Sequence, residues 1–153
     1  MKDYTKALNY AFLLLKYRPR SQEEIKRRLK RKGYSPSLIE NVLQYLLAHQ
    51  YLDDGAFAHM FVASCLAKGW GARRIDFALK QLGVAESIRK EAQPGKDEVR
   101  KSLREIIQKR SSRPRNSKNA YQKLVRHLLT RGFNYADIVS ELENIGVDTL
   151  ESK

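Results

Sequence analysis

The chain has 153 residues, with 30 Lys and Arg against 17 Asp and Glu, which gives a formal net charge of +13. A chain of this length buries roughly 68–70% of its unfolded surface, so its fold needs neither a disulfide nor a metal. No run of 18 apolar residues is present, and Cys65 is the single cysteine, so we expect no membrane span and no internal disulfide. The positive surplus favours an anionic partner, and nucleic acid is the first class to consider.

The charge is concentrated in blocks along the chain. Residues 16–32 carry nine basic side chains and two acidic ones, whereas residues 33–67 contain no Lys or Arg. Residues 101–131 carry ten basic side chains and one acidic one, and five acids and one Lys follow Gly132. A surface selected only for solubility mixes the two signs more evenly. The blocks therefore indicate basic surfaces that meet a partner, with an ordinary solvated surface as the alternative.

The apolar residues follow a helical period along the whole chain, and strand signals are nearly absent. A first helix is predicted over about residues 4–17, ending before a proline. Ser21 and Glu24 have the spacing of a capping box, which begins a second helix that ends at Gly33. Ser35 and the proline after it begin a third helix. The first fifty residues therefore predict three helices.

The three-helix pattern recurs twice more along the chain. Each copy carries two apolar residues and a glycine at intervals of four, at Ile25-Leu29-Gly33, Ile75-Leu79-Gly83 and Leu124-Leu128-Gly132. Because a single short unit cannot bury its own apolar faces, neighbouring copies are expected to stack. We predict an all-α protein of three tandem three-helix repeats that form an elongated, curved helical array.

The predicted repeats span residues 1–50, 51–93 and 94–153. Between the first and second repeats lie Asp53 and Asp54, which are predicted to cap the next helix and to favour its positive end. The repeat boundaries therefore coincide with turn and capping signals rather than with changes of fold class.

The predicted second helix carries the densest cluster of positive charge. Its apolar positions Ile25 and Leu29 face the core, which leaves six cations for its flanks and its exposed face: Lys26, Arg27, Arg28, Lys30, Arg31 and Lys32. Like charges at i,i+3 and i,i+4 repel one another, and an anionic partner relieves that repulsion. These side chains are predicted to bind phosphates or an acidic protein face without reading base identity, a solvated face being the alternative.

Two further arginines are predicted near the start of a helix in the second repeat. Arg73 and Arg74 place positive charge where the helix macrodipole disfavours it, which suggests a ligand or partner. Trp70, which lies between two glycines, has two interpretations. It could stack on a base or a partner, or it could fill the interface between two repeats.

A second basic cluster is predicted in the third repeat. It includes a polar, proline-containing stretch over residues 111–118, which we expect to be a flexible insertion. The cluster consists of Arg113, Arg115, Lys118, Lys123 and Arg126.

Catalytic signals are weak. Three scattered histidines and Cys65 have no metal-ligand spacing, and no phosphate-binding loop of the Walker type is present. Asp53 and Asp54 alone do not predict a magnesium site, because adjacent aspartates before a helix are usually caps. We expect a protein without enzymatic activity, metal or cofactor.

Five segments share the pattern of one known family. They are Arg18-Pro19-Arg20-Ser21 with Glu24; Leu29 with Lys32-Gly33-Tyr34; Tyr51-Leu52-Asp53-Asp54 with Phe57-Ala58; Lys68-Gly69-Trp70-Gly71 with Arg73-Arg74-Ile75; and Leu128-Leu129-Thr130-Arg131-Gly132-Phe133. On these segments the chain resembles the RecX recombination regulators over about residues 7–146. The stretch 111–118 and one residue missing after Gly83 depart from the family pattern.

The resemblance implies a small cytoplasmic protein that modulates the RecA recombinase. Members of that family bind in the helical groove of the filament that RecA forms on single-stranded DNA. There they inhibit ATP hydrolysis and strand exchange, or destabilise the filament. The implied partners are therefore RecA and single-stranded DNA, and we expect a monomer that does not contact a membrane.

Two other functions fit the residues alone. A helix-turn-helix transcription regulator would protect a defined duplex sequence, usually as a symmetric dimer. A protein-interaction array whose basic faces meet acidic partner surfaces would bind free DNA weakly even at low salt.

Overall fold

The structure is a computed structural model that describes residues 2–111 and 119–146. Over these residues it contains nine α-helices and no strand, which confirms the all-α prediction. The helices are α1 (Lys2–Tyr17), α2 (Gln22–Arg31), α3 (Pro36–Ala48), α4 (Asp54–Ala67), α5 (Ala72–Gln81), α6 (Glu86–Ala92), α7 (Lys96–Ser111), α8 (Ala120–Thr130) and α9 (Tyr135–Ile145). Helix α7 includes the first residue of the predicted insertion, and residues 112–118 of that insertion lie outside the described residues.

The first compact unit comprises Met1–Met60 and Leu79–Ala92. Helices α1, α2 and α3 pack against one another in this unit. Their core is a continuous apolar cluster of ten buried residues: Ala7, Ala11, Leu14, Ile25, Leu29, Ile39, Val42, Leu43, Leu46 and Leu52. Because Ile25 and Leu29 are fully buried, the cations between them on α2 lie on its flanks and its outer face.

The second compact unit comprises Phe61–Ala78 and Gln93–Lys153. Helices α7, α8 and α9 pack against one another there. Their core contains Val99, Leu103, Ile107, Leu124, Leu128, Phe133, Ile138 and Leu142. Glu141 is also buried, and its carboxylate accepts a hydrogen bond from Arg104 Nε at 2.7 Å, which compensates its charge.

The predicted helix starts are observed with their caps. Ser21 forms both hydrogen bonds of the capping box with Glu24, and Ser35 Oγ accepts from the backbone N–H of Leu38, the third residue of α3. The two aspartates before α4 have separate roles. Asp53 Oδ1 accepts from Ala56 N at 3.0 Å and caps α4, whereas Asp54 caps α2.

The three repeated glycines share one backbone conformation. Gly33, Gly83 and Gly132 have φ of 93°, 78° and 96°, the left-handed region that favours glycine after a helix. The sequence repeat therefore corresponds to a repeated turn at the end of α2, α5 and α8.

Candidate nucleic-acid interface

The N-terminus of α2 is closed by polar groups from two other parts of the first unit. Ser21 Oγ accepts a hydrogen bond from Glu24 N at 3.2 Å and donates one to Leu82 O at 2.6 Å. Asp54 Oδ1 accepts from Gln22 N at 2.9 Å. Because Leu82 follows α5 and Asp54 begins α4, residues of the predicted second repeat cap a helix of the first. We call this contact the first junction.

Three cations of α2 extend into solvent without an ion-pair partner among the described residues. They are Lys26, Lys30 and Arg31, and all three are exposed. Lys30 and Arg31 lie in the last turn, while the first turn carries acidic residues, so the helix macrodipole favours this order of charge. All three cations are therefore available to an anionic partner, and the positions of Lys30 and Arg31 do not destabilise the helix.

The other three predicted cations of α2 are less available. Arg27 Nη1 donates to Gln81 O at 2.8 Å, so this side chain contributes to the first junction. Lys32 Nζ lies 4.9 Å from the ring centroid of Tyr10, and Arg28 is half-buried. Of the six predicted cations, three are thus free to bind a partner, and the other three contact neighbouring residues or are half-buried.

Helix α5 begins at an equivalent contact in the second unit, which we call the second junction. Here backbone atoms make the contact: Gly71 N donates to Arg131 O at 2.7 Å, and Arg73 N donates to Gly132 O at 3.1 Å. A Cβ on Gly132 would lie 2.4 Å from Arg74 Cβ and 2.5 Å from Arg74 N. Only glycine fits at that approach, in addition to its positive φ.

The two arginines of α5 differ in their contacts. Arg74 Cζ lies 4.0 Å from the ring centroid of Trp70, a cation–π contact that covers one face of the half-buried indole. Arg73 is exposed, and its guanidinium has no ion-pair partner in the parts of the chain that the structure describes. Both lie in the first turn of α5, where positive charge opposes the macrodipole.

Arg73 also lines a cleft of about 440 Å³ within the second unit. Lys96 and Arg100 lie beside it on α7, and Leu103 and Phe133 provide apolar lining. The helix packing thus places three cations around one opening, although they lie far apart along the chain. This group was not predicted from the sequence.

The second predicted cluster is described only in part. Lys123 and Arg126 are exposed on α8. Arg113, Arg115 and Lys118 lie outside the described residues. The described cations therefore lie on α2 in the first unit and on α5 and α8 in the second unit.

A further group of cations in the second unit was missed by the sequence analysis. Lys68, Arg110 and Arg131 line a cavity of about 270 Å³ together with His127. Arg131 Nη1 donates to Lys68 O at 2.9 Å across 63 residues of sequence. The available sequence signal was a basic residue directly before a glycine, in Lys68-Gly69 and Arg131-Gly132, and periodicity alone does not bring these residues together.

The described residues form neither a metal site nor a reactive thiol. No three His, Cys, Asp or Glu side chains lie together in the described ranges as a metal site. Cys65 is buried, and burial raises the pKa of its thiol, which makes it a poorer nucleophile at neutral pH. None of the described helices is both long enough and apolar enough to span a membrane.

Fold and surface together define the class of protein: an all-α chain of three-helix units whose described residues present exposed cations on α2, α5 and α8. Residues 7–46 match the family model of the first three-helix domain of RecX, and residues 53–92 match that of the second. The chain belongs to the RecX family.

Relatives and solved structures agree with this assignment. The Regulatory protein RecX of Prosthecochloris aestuarii is 34% identical and covers 94% of this chain and 95% of its own length. That of Vibrio campbellii is 35% identical over 84% of each chain. The crystal structure of RecX from Lactobacillus salivarius superimposes with a TM-score of 0.84 at 21% identity, covering 96% of this chain and 99% of that one. A second crystal structure, of a regulatory protein RecX, gives a TM-score of 0.80 at 26% identity, covering 95% of this chain and 73% of that chain.

Proposed function

We propose that this protein is a regulator of the RecA recombinase that binds in the groove of the RecA–single-stranded DNA filament. There it inhibits ATP hydrolysis and strand exchange or destabilises the filament. It acts in the cytoplasm as a monomer, without catalysis or a cofactor. The observation that carries the proposal is the pair of free cationic surfaces, on α2 and at the start of α5, in a chain of the RecX family.

Electrostatics explains why a filament suits these surfaces. Lys26, Lys30 and Arg31 have no carboxylate partner in the described chain, so their mutual repulsion persists until an anion binds. Phosphates of the bound strand and acidic side chains of the recombinase supply such anions. Point-charge contacts to phosphate position the protein without reading sequence, as a regulator that acts on any bound DNA requires.

The decisive experiment is a RecA ATPase titration on single-stranded DNA, with the recombinase from the same organism. The wild-type protein is expected to lower ATP turnover. The double variant Lys30→Glu/Arg31→Glu is expected to need roughly tenfold more protein for the same inhibition, since each lost phosphate contact costs affinity. We choose these positions over Arg27 because Arg27 Nη1 contacts Gln81 O, so its substitution disturbs the first junction as well.

A matched control separates this surface from net charge. Lys2→Glu/Lys6→Glu changes the charge by the same amount on α1, at exposed positions outside the proposed surface. It is expected to inhibit as the wild type does. If both double variants inhibit equally weakly, the effect comes from overall charge and not from this surface. If the wild-type protein leaves ATP turnover unchanged, the proposal itself is contradicted.

Salt dependence and footprinting distinguish the proposal from the other two functions. Binding to the filament is expected to weaken steeply with salt because counterions are released. A transcription regulator would instead protect one duplex sequence, and an array that binds only acidic protein surfaces would show no contribution from the DNA strand.

A further inference from the structure

A cationic cavity of about 270 Å³ lies in the second unit, where the end of α4 meets α7 and α8. We call it the α7–α8 cavity. Its charged and titratable lining consists of Lys68, Glu105, Lys109, Arg110, His127 and Arg131. Four permanent cations thus surround one carboxylate and one imidazole. This excess of positive charge in a concave site favours an anionic ligand over water.

Contacts with neighbouring elements hold two of the guanidinium groups in place. Arg131 Nη1 donates to Lys68 O at 2.9 Å, which anchors that side chain over the end of α4 and leaves its other N–H groups free to donate. Arg110 Nη2 lies 3.3 Å from His127 Nδ1. An arginine has only donors, so this contact is a hydrogen bond only while Nδ1 is an unprotonated acceptor.

His127 is tuned toward that neutral state. Partial burial lowers the pKa of its imidazole, and the charges of Arg110 and Arg131 lower it further. Lys68, directly after α4, and Lys109 on α7 add positive charge, and among the described residues Glu105 on α7 is the only acid that lines the cavity. A protonated imidazole facing Arg110 needs an acceptor between the two groups, and a bound anion provides one.

Helix α8 also favours an extended polyanion over a single acidic group. Lys123, His127 and Arg131 follow one another at intervals of four, so they lie along one face about 6 Å apart per step. A DNA strand places a charge at each nucleotide and therefore matches a row of cationic groups. An isolated carboxylate would meet only one position of the row.

We propose that the α7–α8 cavity binds a phosphodiester group of single-stranded DNA and that His127 takes up a proton when it does so. The proton comes from solvent and binds Nδ1, which breaks the hydrogen bond from Arg110. Arg110 and the imidazolium then both donate to the phosphate oxygens. The inference rests on the proposed function for the source of the strand, and it adds a site and a pH dependence that the cations of α2 do not have.

The direction of the pH effect follows from linkage. The bound phosphate raises the pKa of His127 from its lowered value, so the complex carries more protons than the free protein. Affinity therefore increases as the pH falls through the pKa of the bound state. Strand affinity measured by fluorescence anisotropy at constant ionic strength is expected to be about threefold or more higher near pH 6 than near pH 8.

His127→Gln removes the titration while keeping a polar side chain that can contact Arg110. Its strand affinity is expected to stay nearly constant between the two pH values. His59→Gln is the matched control, because His59 is exposed on α4 and its ring bonds to Gly55 O within the first unit. That variant is expected to retain the wild-type pH dependence, and equal loss of pH dependence in both variants overturns the assignment to His127.

Direct proton measurements test the same site without a variant. Calorimetry of the full chain with an oligo-dT strand, in two buffers of different ionisation enthalpy, is expected to show net proton uptake near pH 7. The imidazole NMR signal of His127 is expected to titrate at higher pH when the strand is bound. Proton release, or a pKa that is unchanged on binding, overturns the proposal.

Two probes identify the source of the phosphate. An oligo-dT with uncharged methylphosphonate linkages is expected to cause no proton uptake, because it offers no anionic oxygen to Arg110 and His127. Inorganic phosphate alone is expected to cause little uptake at concentrations that leave strand binding intact. Full uptake with inorganic phosphate, together with none on later addition of the strand, would assign the cavity to a free anion and overturn its role in strand binding.

The outcome is separable from that of the proposed function. RecA ATPase is measured with the wild type and with His127→Gln near pH 8, where the lowered pKa leaves the imidazole of the free protein neutral. Inhibition by both proteins without proton uptake on strand binding leaves the proposed function standing and removes the cavity from it. Proton uptake without inhibition of the RecA ATPase would support the cavity as a strand-binding site and contradict the proposed function.

Discussion

The first and second junctions begin equivalent helices, α2 and α5, but they are built from different chemistry. At the first, Ser21 Oγ and the Asp54 carboxylate close the helix with side chains. At the second, Gly71 N and Arg73 N bond directly to carbonyls that follow α8. One geometry is therefore reached through side-chain caps in one place and through close backbone approach in the other.

The two junctions also differ in the charged residues that lie in the first turn of the helix they begin. The side-chain caps of α2 come with Glu23 and Glu24 in its first turn, and three of its cations, Arg28, Lys30 and Arg31, lie in the last turn, where the macrodipole stabilises them. Helix α5 instead has Arg73 and Arg74 in its first turn. The helix macrodipole thus stabilises part of the positive charge on α2. Arg73 on α5 opposes the macrodipole and makes no compensating ion pair in the described chain.

Substitution of Gly132 is expected to have the largest effect, because it breaks the second junction. Gly132→Ala adds backbone strain at positive φ and a Cβ that clashes with Arg74, and together these should destabilise the protein by roughly 3 kcal/mol. Gly33→Ala is the control, because its φ is also positive but nothing lies within 4 Å of its Cβ. It should cost only about 1 kcal/mol. Urea unfolding followed by circular dichroism measures both, and equal losses would contradict the close approach.

Removal of the serine cap is expected to have an intermediate effect at the first junction. Ser21→Ala removes the cap of α2 and leaves Leu82 O without its donor, so it should cost about 2 kcal/mol. Ser35→Ala removes an exposed cap of α3 and should cost about 1 kcal/mol. Hydrogen exchange at Gln22 and Glu24 reports the opening locally. A smaller loss at Ser21 than at Ser35 would show that the bond to Leu82 O is dispensable.

Single charge removals are expected to have the smallest effects on stability, with opposite signs at the two helices. Lys30→Gln removes a cation that the macrodipole of α2 favours but that also repels Lys26 at i,i+4, so it should lower the unfolding free energy by at most about 0.3 kcal/mol. Arg73→Gln removes one that the macrodipole of α5 disfavours and should raise it by a similar amount, about 0.3 kcal/mol. Paired urea titrations measure the difference, and the same sign for both variants would contradict the contrast between the junctions.

Much of the fold could be predicted from the sequence because its signals are local. The capping box at Ser21, the cap at Ser35 and the three glycines that end helices are each specified within a few residues, and each is observed. Asp54 shows where local reasoning stops. It was assigned to the helix that it begins, whereas its carboxylate caps α2, 32 residues earlier in the chain.

The candidate site was less predictable because its grouping depends on packing. The sequence identified the cations of α2 and α5 but could not separate Arg27, which contacts Gln81 O, from the free Lys30 and Arg31. It also did not group Lys68 with Arg131, since only the docking of α8 near the end of α4 brings them into contact.

The first unit is built from two separate stretches of the chain, and this affects when it can fold during synthesis on the ribosome. Ser21 Oγ donates to Leu82 O and Gln22 N donates to Asp54 Oδ1, so these two hydrogen bonds at the start of α2 cannot form until much later residues emerge. Protein domains fold largely as units during translation. The first unit therefore closes only once the chain has been made through Ala92, and until then α2 presents its cations on an incompletely capped helix.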